Sequence, residues 1–126
     1  PEKMFPQILE RVRGGQTIMA ADYVASWIKM RTYRKTYADL TAGFDAVIMP
    51  TAPIMPPNVD RLMTEDAYYK SENLLALRNT RIGNLMGLAG LSLPTGTPSC
   101  GILFNGSPDS EEKLLRIGMA AAKALA

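Results

Sequence analysis

One stretch limits the possible folds more than any other: Asn79 to Gly106, NTRIGNLMGLAGLSLPTGTPSCGILFNG. It contains two short apolar runs, 91–94 and 100–105, separated by a Gly- and Pro-rich segment from Thr95 to Ser99. Short apolar runs bounded by turn residues predict two buried strands joined by a turn. A small-residue segment with Gly83, Gly87 and Gly90 precedes them. Each glycine costs a helix roughly 1 kcal/mol, so their expected use is close approach of backbone to a neighbour. The stretch has no histidine, no carboxylate and no phosphate-cradling loop. It reads as a wall around which the chain packs.

The remaining elements follow from periodicity. Phe5, Ile8, Leu9 and Val12 fall at helical spacing and predict a helix over 4–14, ended by Gly14 and Gly15. A long helix is expected over 18–40, capped by Thr17, with Tyr23, Val24, Trp27, Met30, Tyr33, Tyr37 and Leu40 on one face. The unalternating run from Asp45 to Pro50 predicts a strand over 45–50, buried on both sides. Pro50, Pro53, Pro56 and Pro57 then force an irregular, extended segment. Residues 60–70 read as a polar connector with at most a helical turn, and 71–88 as one helix or two. Asp109, with Glu112 three residues later, predicts a capping box opening a final helix over 110–125. The expected fold class is α/β, with about three strands flanked by helices in a single domain over 1–126. Three strands leave two bare edges, which points to a remainder of the sheet supplied from elsewhere.

Composition removes several function classes. Fourteen basic against twelve acidic residues is too small an excess to imply nucleic acid or an anionic membrane as a partner. No run reaches the roughly 18 apolar residues of a membrane span. The chain has no histidine, so the commonest metal ligand and the commonest neutral-pH base are missing. No metal and no cofactor are expected. The single cysteine, Cys100, excludes an intrachain disulfide and makes a reducing cytoplasm the default location. With no histidine to activate it, Cys100 is expected to be a structural thiol. Ser26 and Lys29 have the S-x-x-K spacing of penicillin-binding proteins, but the companion motifs are missing and the match is coincidental. The first residue is Pro1 and not Met, which reads as a fragment or a processed product.

Four segments in order resemble the amidase signature family: DAVIMPTAP from Asp45, NLMGLAGLSLPTG from Asn84, GILFNG from Gly101 and PDSEEKLL from Pro108. Arg11-Val-Arg-Gly-Gly15 and Ala21-Asp-Tyr23 resemble the segment that precedes these in the family. The resemblance covers nearly the whole chain. Leu103, Phe104 and Asn105 depart from the usual last strand, as do Pro98 to Gly101 before it and Met86 in the Asn-Leu-Ala-Gly unit. These departures leave the subfamily open.

The resemblance implies the C-terminal portion of an α/β/α sandwich with a mixed sheet. It implies a serine hydrolase of carboxylic amides using a Ser-cis-Ser-Lys triad, in which a desolvated Lys acts as base without any histidine. The triad belongs to the first half of such enzymes, so no catalytic residue is carried onto this chain. Arg11 matches an Arg that faces an anionic substrate group in some relatives, and Thr80 and Asn84 match positions beside the pocket wall. Thr51 opens the proline-rich turn after a strand's C-terminal end, where open α/β sheets place ligands. Arg11, Thr51, Thr80 and Asn84 are therefore the substrate-pocket candidates.

Two functions follow as expectations. One is the scaffold and pocket part of an amidase, inactive alone, partnered by the missing catalytic half and acting with it on a small-molecule amide. The other is a self-standing interaction or assembly module without catalytic activity. Both leave apolar surface exposed, so a homo-oligomer is expected.

Overall fold

The computed structural model describes residues 3–125. Its centre is a three-stranded sheet in the order β1-β3-β2, with β1 at Val47–Pro50, β2 at Ala89–Pro94 and β3 at Gly101–Gly106. β3 lies in the middle and pairs antiparallel with both neighbours. It sets Asn105 opposite Val47 and Ile102 opposite Pro50 on one side, Gly106 opposite Ala89 and Gly101 opposite Pro94 on the other. All described pairs are antiparallel; for β2 and β3 the loop 95–100 is far too short for the crossover that a parallel pair needs. Pro50 and Pro94 end edge strands, where a missing amide donor is tolerated.

Alternation along the strands gives the sheet two different faces. Ala89, Leu91, Leu93, Ile102 and Phe104 face helix α6, Glu111–Leu125, which adds Leu114, Ile117 and Ala121 to the core. Gly118 lets α6 approach β2 closely, against the Leu91 side chain. The opposite face carries Ser92, Leu103 and Asn105. Helix α5, Thr80–Met86, meets it where a β-carbon on Gly83 would lie 3.0 Å from the Asn105 carboxamide oxygen. The expected layering of helix, sheet and helix is present, and the wall from Asn79 to Gly106 is α5, β2 and β3.

The other helices are α1 at Pro6–Gly14, α2 at Ala20–Thr41, α3 at Val59–Thr64 and α4 at Asp66–Ala76. The polar connector expected over 60–70 is thus two helices, and 71–88 divides between α4 and α5. Local polar chemistry explains this. The Asn58 side chain accepts from the Arg61 amide at 2.9 Å, capping α3. Arg61 then grips Glu65 through two hydrogen bonds at 2.7 and 2.9 Å and lies 4.0 Å from the Tyr68 ring centre.

Two expected caps are not formed. Thr17 donates back to the Gly14 carbonyl at 3.0 Å inside a 3-10 turn, and Met19 precedes α2 without a side-chain cap. Asp109 takes a left-handed conformation, φ 58°, which a short polar side chain tolerates in a turn, so α6 begins only at Glu111. Helix α2 buries no residue, and its expected apolar face stands open to solvent along most of its length.

Candidate functional site

Strand pairing builds the first part of the site. The Thr51 amide donates to the Gly101 carbonyl at 2.8 Å, extending the ladder one residue beyond β1. This places the Thr51 hydroxyl 2.6 Å from the Ser92 hydroxyl on the face away from α6. Gly101 makes room beneath them: a β-carbon there would lie 2.8 Å from Thr51 Oγ1 and 3.2 Å from Ser92 Oγ. The hydroxyl pair opens onto a cleft of about 720 Å³ between the proline-rich segment 50–55 and the β2–β3 loop. Cys100, half-buried, lies on the same cleft.

The second part comes from helix docking. Lys70 on α4 bonds Glu10 of α1 at 3.0 Å and Asp66 at 3.1 Å. Gln7 donates to Asp66 at 3.2 Å, and the Phe5 and Tyr69 rings meet edge to face at 5.6 Å. The bond to Glu10, then that to Asp66, holds the Lys70 ammonium above its ordinary pKa. The Asp66 carboxyl is lowered, first by Lys70 and then by Gln7. With α1 held on α4 in this way, Arg11 reaches a cleft of about 400 Å³ that it shares with Leu74, Leu77, Thr80, Arg81 and Asn84. Thr80 donates to the Leu77 carbonyl at 3.3 Å, across the break between α4 and α5.

Three of the four candidates, Arg11, Thr80 and Asn84, therefore line one cleft, whereas Thr51 lines the other. The two clefts are tied together by Asn79, whose carboxamide donates to the Pro50 carbonyl at 2.7 Å, one residue from Thr80 and one from Thr51. Sequence reasoning missed Ser92 and Arg81. Ser92 was legible only as an outward position in β2, and its partner came from a register that the sequence did not specify. Arg81 sits beside Thr80, and no local pattern in the sequence singles it out.

A third cleft, about 360 Å³, lies at the other end of the sheet between α2, the start of β1 and the end of β3. Lys113 and Asp45 pair at its edge at 2.8 Å. No described residues form a cluster of His, Cys, Asp or Glu able to hold a metal. No helix among them is long and apolar enough to cross a membrane.

Against known proteins, the profile of the family described as Amidase matches residues 2–115. This chain belongs to the amidase family. Its curated relatives include the 2-amino-5-chloromuconic acid deaminase of Comamonas testosteroni, 28% identical over 94% of this chain and 26% of that protein. The glutamyl-tRNA(Gln) amidotransferase subunits A of Saccharolobus solfataricus and Sulfurisphaera tokodaii are 27% and 30% identical, each over 71% of this chain and 19% of the relative. The amidase chain thus spans about a quarter of the first relative's length and a fifth of the other two. No solved structure matches it.

Proposed function

We propose that this chain is the C-terminal scaffold and substrate-pocket part of an amidase that hydrolyses carboxylic amide C–N bonds, and that it is inactive alone. The family match over residues 2–115, set against relatives nearly four times longer, is the observation that carries this reading. The described residues agree with it. Two separate clefts, bridged on the protein by the Asn79–Pro50 hydrogen bond, offer hydroxyls, a carboxamide and guanidinium groups that bind and orient, without a base beside a nucleophile among their lining residues. The Thr51–Ser92 hydroxyl pair and the Arg11 cleft are the pocket walls, and Arg11 meets an anionic group of the substrate. The partner is the remainder of the amidase domain, which supplies the Ser-cis-Ser-Lys triad. One of the relatives is named as a deaminase of an acid, in keeping with a C–N bond on an anionic compound.

The test is a comparison of two proteins for ammonia release from primary amides. The full-length protein that contains this chain is expected to turn over, and residues 1–126 alone are not. Amide hydrolysis by the 126-residue chain alone would overturn the assignment of the triad to the remainder. An inactive full-length protein would favour the assembly-module reading.

A further inference from the structure

We propose that Arg81 is a second substrate-binding residue beside Arg11, and that the cleft they line selects amides carrying a carboxylate remote from the scissile bond. This rests on the amidase reading above and names its substrate class. Two guanidinium groups, from α1 and α5, open onto one cleft of about 400 Å³. None of the six residues lining it is acidic. Among the described residues neither Arg11 nor Arg81 forms an ion pair or a side-chain hydrogen bond, although each is a ready donor. Glu10, the acidic residue beside Arg11 in sequence, is engaged elsewhere: it and Asp66 both bind Lys70.

Both side chains are exposed, so the two like charges repel each other only weakly through water, while the concave surface focuses the field of both onto whatever enters. An anion relieves that repulsion. Guanidinium matches a carboxylate with parallel hydrogen bonds in a planar fork, which an ammonium does not reproduce. Thr80 and Asn84 complete the polar rim, while Leu74 and Leu77 give an apolar floor for a short methylene or vinylene spacer. The cleft thus suits the half-amide of a dicarboxylic acid. A neutral amide of the same length leaves both charges unpaired, and that differential sets the specificity.

The experiment uses the full-length protein with succinamate and butyramide, which differ by a carboxylate in place of a methyl group. The wild type is expected to favour succinamate by tenfold or more in kcat/KM, through KM. Arg81→Ala is expected to reduce that preference at least tenfold, with the loss in KM and not in kcat. Arg81→Lys is expected to restore only part of it, since an ammonium keeps the charge without the fork. Removing the exposed charge of Lys123 on α6, by Lys123→Ala, is the control for a general charge effect. Equal use of the two amides by the wild type, or an unchanged preference in Arg81→Ala, overturns the proposal and leaves the amidase reading standing. Calorimetry with succinate separates the converse case. If neither amide is hydrolysed but succinate binds the wild type and not Arg81→Ala, the anion site stands and the amidase reading falls.

Discussion

Tyr37 and Asn105 show how residue-scale polarity is handled at the far end of the sheet. Asn105 is only 4% exposed, and its carboxamide nitrogen has no partner among the described residues. The Tyr37 hydroxyl is likewise enclosed and unpartnered. A buried polar group left without a hydrogen bond costs about 1–3 kcal/mol. Tyr37→Phe removes the hydroxyl and leaves the ring, so it is expected to hold stability constant or raise it by about 1 kcal/mol. A loss of more than that in urea unfolding would show that the hydroxyl has a partner in solution. Burial also raises the Tyr37 pKa above 10.0. The folded state then holds its proton more tightly than the unfolded state. This contribution is complete below pH 10.0 and is lost as pH rises through the higher folded value. The drop in stability between neutral pH and pH 11 is expected to be smaller in Tyr37→Phe than in the wild type. Asp45 behaves in the opposite sense. Its hydrogen bond to Lys113, then the attraction of that charge, lowers its carboxyl below 3.8. Lys113→Met is expected to return the Asp45 midpoint upward to about 3.8 in an NMR titration, and an unmoved midpoint would mean the pair is not populated.

At the scale of elements, the legible features were those written in local pattern. The strands at 45–50, 91–94 and 100–105 and the helices near 4–14, 18–40 and 110–125 appear within a few residues of where periodicity placed them. Helix α3 and the first half of α4 were hidden because their signal is polar: the Asn58 cap, the Arg61–Glu65 grip and the Tyr68 stack leave no apolar stripe to count. The candidate site was only partly legible for a related reason. Arg11 and Asn84 lie far apart in sequence and meet because α1 docks on α4, so only a family resemblance joined them in advance. The Thr51–Ser92 pair depends on β1–β3–β2 register, which no local pattern states. That register gives a direct test. Gly101→Ala would put a methyl group 2.8 Å from Thr51 Oγ1 and 3.2 Å from Ser92 Oγ, in a ladder that cannot slide without turning every side chain over. Overpacking of this kind costs about 1–3 kcal/mol. The expected result is a lower urea midpoint together with disturbed Thr51 and Ser92 resonances. An unchanged midpoint would mean that the proline-rich segment yields freely and that Thr51 does not hold the pocket wall.

At the scale of the whole molecule, the surface does not match the mass. A folded monomer of 13.8 kDa exposes about 6,600 Å². This chain exposes 9432 Å². Among the described residues the buried apolar core comes down to Ala89, Leu103, Phe104 and Leu114, while α2 turns Tyr23, Val24, Ile28 and Leu40, the last 74% exposed, toward solvent between exposed Met19 and Phe44. The excess, roughly 2,800 Å² on this side alone, is the size of an obligate interface and far above a crystal contact or a transient encounter. The region richest in exposed apolar side chains is α2, and none of its residues lines the Arg11 or Thr51 cleft, so covering it need not close them. On the proposed reading, the remainder of the amidase domain would cover α2 and the sheet edges, with the Arg11 and Thr51 clefts left to the substrate. Residues 1–126 alone are expected to bind a hydrophobic dye strongly and to self-associate in sedimentation at micromolar concentration. Within the full-length protein, Trp27 and Tyr23 are expected to be shielded from a neutral quencher such as acrylamide. Changing Trp27 and Ile28 together to Glu is expected to weaken both kinds of association at once, because the same exposed apolar side chains of α2 serve for both. A 126-residue chain that sediments as a monomer without dye binding would mean that α2 folds back on its own domain and that the excess surface is closed from within.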